Sequence, residues 1–431
     1  MATSKLYTFV NTIRKGVVVV EENVFSNLVS NHSEKIDSST LQSLYDEGFV
    51  VMDDDDENSR INMFFTSAKF EYFSYATMIL TSYDCNMRCP YCFENGIKAK
   101  KDYMTEKTAK DVAEWLKIEL KKYQPKYTGI AFSGGEPLIN KKAISIIINE
   151  MKDFCDDIGI VFSFGFLTNG TLEINEADAE EYNRCNIKFI QYTLDGNKEI
   201  NDKRRLIEGG SYNTILSNIV KNNKLMNIDT IVRVNIDNEN YSDIDDMLMD
   251  LRKLCIDDLV LDFAVRFETP CDVKAINSNV LQQKDVPDRI IQCMKKAKKL
   301  GLNHSRRFTN DSPCLSIVPR QFVIDPQGDL YKCAAFAGEK DFVVGNIYND
   351  DLNEKYVDVV GHDAWHECKQ CPYVPLCGGG CLFINRNTHG NFKKKVCQRQ
   401  LFEGLVMETL ISTLDEEAIV NQLKESVSNE G

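Results

Sequence analysis

The sequence predicts an α/β protein built on a parallel sheet, with a small α+β unit before it and a cysteine-rich region after it. Three observations carry this. Between residues 76 and 267, apolar strands alternate with amphipathic helices, the pattern of βαβ units with right-handed crossovers. Before residue 76 the order is two strands and then helices. From Asp311, Gly, Pro and Cys rise, helical periodicity fades, and short hairpin-like pieces such as Gln321–Cys333 appear. At 431 residues the chain is too long for one ordinary core.

In order, residues 6–11 and 16–20 read as two short strands, followed by helices near Glu21–Ser30 and Ser39–Glu47. The acidic run that starts at Asp53 is expected to be a solvated loop, because like charges repel, and a further helix follows it. The main unit is expected to place strands at Ala76–Ser82, Gly129–Ser133, Ile160–Leu167, Ile187–Leu194, Thr230–Ile236 and Leu259–Phe267. Its helices are expected at Glu106–Lys122, Lys142–Asp157, Glu176–Arg184, Tyr212–Met226 and Ser242–Leu254. Val286–Leu300 adds one more amphipathic helix, and another helix begins near Val396.

Composition narrows the function classes. Apolar residues make up 43% and charged residues 27%, which excludes a disordered chain. No apolar run reaches the length of a membrane span, and the N-terminus lacks the apolar core of a signal peptide, so the expected location is cytoplasmic. Asp plus Glu number 65 against 51 for Lys plus Arg, a net charge of −14 that argues against nucleic-acid and membrane partners.

The 15 cysteines are the informative feature. In a cytosolic chain they are metal or redox ligands sooner than disulfides. Five stand alone (Cys155, Cys185, Cys255, Cys271, Cys293) and read as small apolar core residues. Three lie in one run, Cys85-Asn-Met-Arg-Cys89-Pro-Tyr-Cys92, just past the first strand of the main unit. Parallel sheets gather their active-site loops at the carboxyl ends of strands, so this trio belongs at that mouth. Three close thiolates suit zinc or an iron–sulfur cluster. Structural zinc wants a fourth ligand and none is nearby, whereas a cubane on three thiolates keeps one iron open for chemistry.

The trio, with Tyr91 before its last cysteine, resembles the signature of radical S-adenosylmethionine (SAM) enzymes. Ser133-Gly134-Gly135-Glu136-Pro137, ending the second strand, resembles that family's GGEP motif, which contacts the methionyl amino group. Thr168-Asn169-Gly170 ends the third strand. Gln191-Tyr-Thr193-Leu-Asp195-Gly196 resembles the family's Q-x-S-x-D-G segment, with Thr193 keeping the hydroxyl. Asn201-Asp-Lys-Arg204-Arg205 resembles H-D-x-x-R, whose arginine pairs with the SAM carboxylate; that role falls to Arg205, and Asn201 stands where the family has His. Asn235, ending the fifth strand, faces the same mouth. The fold implied is a partial (β/α)6 TIM-like barrel of the radical SAM type.

The later cysteines, Cys314, Cys333, Cys368, Cys371, Cys377, Cys381 and Cys397, resemble the seven-cysteine SPASM domain of some radical SAM enzymes. Two structural zinc sites are the rival reading. The resemblance implies three [4Fe–4S] clusters in all. Cys85, Cys89 and Cys92 would hold the SAM-binding one, Cys368, Cys371, Cys377 and Cys397 an outer auxiliary one, and Cys314, Cys333 and Cys381 an inner one. One three-thiolate site and two four-thiolate sites need one cysteine more than these ten. Relatives with an eighth cysteine carry it six positions after the first, where this chain has Arg320.

The domains expected are a winged-helix-like peptide-recognition unit (1–75), a radical SAM core (76–305), an auxiliary-cluster domain (306–405), and a C-terminal helix and tail (406–431). SPASM-bearing relatives act mostly on peptides, so the expected activity is a crosslink, a thioether from a Cys, in a ribosomally made precursor peptide. A leader peptide and a flavodoxin- or ferredoxin-type electron donor would be partners. Formylglycine-generating sulfatase maturation is the nearest alternative, but that type carries Asp after the cysteine where this chain has Cys333-Ala334-Ala335. A non-catalytic iron–sulfur or zinc protein is the alternative from another class.

Overall fold

The computed structural model describes residues 5–52, 55–92, 101–265, 285–305, 313–349, 351–368 and 370–411. Cys271, Asp311, the end of the sixth expected strand at Phe267 and the tail from 412 lie outside them. Strands β1 (Leu6–Asn11) and β2 (Gly16–Glu21) form an antiparallel hairpin in which Leu6 pairs with Glu21. Three helices follow, at Glu22–Val29, Ser38–Asp46 and Glu57–Lys69.

The central sheet contains β3 (Ser74–Ser82), β4 (Tyr127–Gly134), β5 (Val161–Leu167), β6 (Ile187–Thr193), β7 (Asp229–Ile236), β8 (Leu259–Val265) and the short β9 (Asn303–His304), all parallel and adjacent in chain order. Strands in sequence order with helical crossovers are what a (β/α)6 half-barrel requires. The helices start where capping side chains stand. Thr105 accepts the Thr108 N–H, Asn140 that of Ala143, and Asn175 forms a capping box with Asp178. Their apolar residues recur at three- and four-residue steps. On Lys141–Ile158, Ala143, Ile144, Ile147, Ile148, Met151 and Cys155 all face the sheet and are buried.

The cysteine-rich region contributes β10 (Phe322–Ile324), β11 (Asp329–Tyr331) and β12 (Gly345–Asn346). Sequence reading expects a separate hairpin here; the structure joins it to the barrel. β10 runs parallel to β3, with Phe322, Val323 and Ile324 opposite Thr77, Met78 and Ile79, so among the described residues the sheet has ten strands and crosses residue 305. The free edge of β3 explains this, since its unpaired backbone groups need partners. The helix Glu57–Lys69 also packs across units: Phe65 stacks on Trp365 at 5.1 Å, and Lys69 bonds Asp363 at 2.7 Å. No helix among the described residues is long and apolar enough to cross a membrane.

Candidate active site

Because β3 to β8 are parallel, the loops after them share one mouth. Asp195, fully buried after β6, is its hub. Its Oδ1 accepts from Asn235 Nδ2 at 2.9 Å, and its Oδ2 is bonded by the Tyr91 hydroxyl. Arg205 Nη1 donates to the Tyr91 hydroxyl at 2.8 Å and lies 3.8 Å from Asp195 Oδ2. Burial and the neighbouring negative charge of Asp195 push the Tyr91 phenol upward, so it stays a neutral donor. Arg204 points elsewhere, to the buried Asp237 at 2.8 Å. Asn201, whose role the sequence leaves open, accepts the Asp195 N–H at 3.1 Å and donates to Ser211 at 2.9 Å. It therefore fixes the Asp195 loop. Thr193 lies two residues before that hub, at the end of β6.

The Gly134-Gly135-Glu136-Pro137 segment clamps the cysteine loop from the next strand. Gly135 donates to Ser82 O at 3.0 Å and Glu136 to Asp84 O at 2.9 Å. A Cβ on Gly135 would come within 2.1 Å of Asp84 O, and Gly134 has φ +119°. Only glycine fits there. The Glu136 carboxylate is fully buried and accepts the Thr168 hydroxyl at 2.8 Å and the Asn169 N–H at 2.7 Å. Burial raises its pKa, against the pull of those bonds. Asn169 then donates to Asn86 Oδ1 at 2.7 Å and to Cys85 Sγ at 3.7 Å. Cys85, Met87 and Cys89 form one buried cluster, with Tyr91, Cys92 and Ile207 packed on it.

The C-terminal thiols fall into two sets. Burial above all, with the nearby Cys314 and Cys381 adding to it, pushes the Cys333 thiol up to about 12. Cys368 and Cys371 act likewise on Cys377, pushed to about 11. Lys395 Nζ lies 3.0 Å from Cys368 Sγ, and Cys397 is exposed beyond it. Among the described residues, no three Cys, His, Asp or Glu side chains converge on one ion position. His366 is taken by Asn62 at 2.6 Å.

A cavity of about 420 Å³ lies in the half-barrel. Met78, Ala131, Ser163 and Phe189 line it from the strands, Val323 from β10, and Ser316, Lys332 and Cys333 from the cysteine-rich region.

Comparison with known proteins places this geometry. Residues 79–251 match the model of the radical SAM superfamily, a span that holds the thiol trio, the Gly-Gly-Glu-Pro clamp, Asp195 and Arg205. Residues 79–251 are a radical SAM domain. The chain is 28% identical over 344 residues (72% of this chain, 87% of the relative) to a cysteine-type anaerobic sulfatase-maturating enzyme of Clostridium novyi. It is 22% identical over 434 residues (90% and 85%) to the radical SAM cyclopropyl synthase TigE of Paramaledivibacter caminithermalis. Its fold is similar to anSMEcpe with bound AdoMet and Cp18Cys peptide, with TM-score 0.61, 16% identity and coverage of 81% of this chain and 99% of that one. It is also similar to Streptococcus suis SuiB bound to precursor peptide SuiA, with TM-score 0.54, 14% identity and coverage of 91% and 98%.

A radical SAM enzyme works with a [4Fe–4S] cluster and SAM. The residues at the radical SAM mouth fit both. Arg205 Nε is buried with no hydrogen-bond partner, an orphan donor of the kind a carboxylate satisfies. Cys85 Sγ already receives the Met87 N–H at 3.4 Å as well as Asn169, bonds that favour a thiolate. Sequence reading missed Asn86, Asn240 and Asp262. Asn240 Nδ2 donates to Asp195 O at 2.6 Å, and Asp262 faces Arg233 at 3.6 Å inside the barrel. Asp262 carries one signal in sequence, a lone carboxylate in an otherwise apolar strand; the asparagines carry none.

Proposed function

We propose that this radical SAM enzyme is a peptide maturase that joins a substrate cysteine to another residue by a thioether. The observation that carries it is the cavity: one wall is barrel strand, the other the cysteine-rich region with Cys333. The strand residues lining it belong to the amino-terminal halves of β3 to β6, so a substrate segment placed there would lie against the inner thiol set, with the SAM-site loops at the carboxyl ends of the same strands. The peptide class is supported by relatives whose structures hold peptides, SuiB with SuiA and anSMEcpe with Cp18Cys.

In this reading Cys85, Cys89 and Cys92 hold the SAM-binding cluster. Arg205, with Tyr91 and Asp195 orienting it, takes the SAM carboxylate, and Gly134 to Pro137 with Thr168, Asn169, Thr193 and Asn235 shape the rest of the cofactor seat. Bound there, the cluster and SAM supply a 5′-deoxyadenosyl radical that removes one hydrogen atom from the substrate. The protein holds the peptide, excludes water with its apolar lining, and sets the distance between the reacting atoms. Cys314, Cys333 and Cys381 would hold the inner auxiliary cluster, and Cys368, Cys371, Cys377 and Cys397 the outer one. A flavodoxin- or ferredoxin-type protein would supply the electron.

The thioether follows from the missing ligand. Cys155, Cys185 and Cys293 are buried in the barrel core, and Cys255 is exposed after the helix Asp245–Lys253. Among the described residues none of these four lone thiols is grouped with Cys314, Cys333 and Cys381, and Cys271, the fifth candidate, lies outside them; this reading takes the fourth position as open to a substrate thiolate, a soft ligand for iron. Forming the C–S bond would remove one hydrogen atom and one thiol proton and leave one electron, for which the auxiliary cluster that Cys314, Cys333 and Cys381 would hold is the acceptor. Similarity to sulfatase-maturating relatives favours formylglycine formation as a second reading, and Ala334 after Cys333 counts against it.

The test is anaerobic reconstitution with SAM, dithionite and the precursor peptide. The expected products are 5′-deoxyadenosine and a peptide about 2 Da lighter per bridge, from the two hydrogens lost, with the linked cysteine resistant to alkylation. A 2 Da loss with every cysteine still alkylated would mean a carbon–carbon or carbon–oxygen link instead.

A further inference from the structure

Asp325 opens the turn between β10 and β11, and nothing in the chemistry above uses it. It is 2% exposed. Its Oδ1 accepts the N–H groups of Gln327 and Asp329, both at 2.9 Å, and so closes the turn. Its Oδ2 faces two buried tyrosines. Tyr83 donates to it at 3.0 Å and Tyr331 at 3.4 Å.

The two tyrosines belong to different sites. Tyr83 stands two residues before Cys85, and Tyr331 stands two residues before Cys333. A single carboxylate oxygen therefore links the loop of the SAM site to the strand that delivers the inner thiols. Leu80, Val323 and Ala337 enclose the link, with Met78 and Ala334 packed against them. Sheet pairing cannot set this distance by itself. The β10–β3 ladder ends at Ile324 opposite Ile79, and the β3–β4 register shifts between Leu80 and Ser82. Past that point the buried Tyr–Asp–Tyr link is the next constraint. Unpairing any of its members strands a polar group away from water, so the link resists opening.

We propose that Asp325, acting through Tyr83 and Tyr331, is a positioning residue that fixes the spacing between the SAM-site loop and the inner thiol site. Its catalytic consequence rests on the crosslinking reading; its geometric consequence does not. A radical made at one site must meet sulfur held at the other before it is quenched. A displacement of about 1 Å can slow such a step on the order of a hundredfold.

Four variants of the cluster-loaded enzyme test this: D325A, Y331F, the Y83F/Y331F pair and D325N. SAM cleavage should stay within about twofold of the parent in D325A, Y331F and D325N, which lie outside the SAM-site loop; the tyrosine pair is read only as crosslink per 5′-deoxyadenosine and by the spin distance. Crosslink formed per 5′-deoxyadenosine should fall about tenfold or more in D325A and in the tyrosine pair. The dipolar distance distribution between the two reduced cluster spins should broaden in the same variants. D325N keeps the turn-closing oxygen and offers its amide to both hydroxyls, so it should restore both readouts; this separates position from charge. Unchanged coupling and an unchanged spin distance in D325A and the tyrosine pair would overturn the proposal, as would D325N behaving like D325A. If D325A does not fold, Y331F, which leaves the turn intact, decides by the same two readouts. If the parent enzyme makes no crosslink, the maturase reading fails and the spin distance alone decides for or against the link.

Discussion

The guanidinium of Arg320 lies 3.7 Å from the ring of Tyr72, with Tyr123 on the same group at 5.4 Å. Arg320 stands six positions after Cys314, where the resemblance to SPASM relatives would place an eighth cysteine, and its buried guanidinium stacks on the exposed ring of Tyr72 instead. The inner thiol set thus keeps three members, Cys314, Cys333 and Cys381, among the described residues.

This gives a first prediction. C155A, C185A and C293A should each retain the full iron and sulfide content, about four irons per cluster. Each should cost on the order of 1 kcal/mol of stability, because their thiols fill the barrel core. Adding the precursor peptide should change the electron paramagnetic resonance signal of the reduced inner site, and a Cys→Ser peptide should not. Loss of iron in C293A would instead name it as the ligand.

A second prediction concerns SAM binding. Arg205 is held by Tyr91 and Asp195 with Nε left over, so R205Q should remove one charge-assisted contact to the SAM carboxylate. At roughly 1.5 to 3 kcal/mol for such a bond, the Kd for SAM should rise by about 10- to 100-fold. Iron content should not change. Calorimetric titration of the reconstituted enzyme measures both affinity and site number, and an unchanged Kd would move the carboxylate contact elsewhere.

The third prediction separates the clamp from the ligands. G135A forces a Cβ into Asp84 O, backbone against backbone, where nothing can give way. The loop carrying Cys85 should be displaced, and about four irons should be lost per chain while the C-terminal sites stay filled. G159A is the control: it has a left-handed φ of +74° but nothing within 4 Å of the new Cβ, so it should cost about 1 kcal/mol and no iron. Iron analysis with Mössbauer spectroscopy distinguishes the two outcomes.

Recognition of the leader gives the fourth. Removing residues 1–75 would be a poor test, since Phe65 stacks on Trp365 and Lys69 bonds Asp363, so the C-terminal core would be damaged as well. Removing residues 1–21 takes the β1–β2 hairpin, whose outer edges pair with no other strand among the described residues; it also removes Val10 and Val17 from the Leu376–Phe402–Val406 cluster and Thr12 from Pro372 O, so unchanged iron content is the control. An extended leader can add to such an edge. The Kd for the full precursor should rise at least about tenfold, with SAM cleavage unaffected. Fluorescence anisotropy with a labelled precursor checks it; equal affinity would place recognition outside the hairpin.

What the sequence made legible was periodic or spaced. The helix Glu176–Arg184 was read to the residue, because Asn175 caps it and its apolar spacing is regular. The thiol trio and the Gly-Gly-Glu-Pro segment were legible because both chemistry and close approach restrict them to few residue types. The union of β10 with β3 was not, since three residues of Phe-Val-Ile pattern do not reveal their partner across some 240 residues. Nor was the role of Asn201, which comes from a loop conformation that brings its amide to the Asp195 N–H. Cys293 was nearest in sequence among the described candidates for the missing ligand, yet its thiol faces Tyr241 O in the core. Sequence distance says little about which side of a helix meets a site.

The last prediction follows from the ionisation of Asp325. An unfolded aspartate titrates near 3.8, whereas burial, outweighing its hydrogen bonds, pushes Asp325 up to about 6. Between those values the native chain keeps a proton that the unfolded chain has lost. Native stability must therefore fall as pH rises from about 4 to 6, and above that the loss is complete. D325N has no such group and should lack this slope. With a shift of about two units, the stability of the parent relative to D325N should drop by about 1 kcal/mol between roughly pH 5 and pH 7.5. Trp115, whose ring meets Phe322 of β10 edge-on at 5.7 Å, gives a local fluorescence signal for urea unfolding under anaerobic conditions. Equal pH slopes for parent and D325N would show that the carboxylate is solvated and titrates as an ordinary aspartate. A steeper loss in the parent would show that the bridge between the two thiol loops carries a buried charge at neutral pH, held by the two tyrosine hydroxyls and the turn amides together.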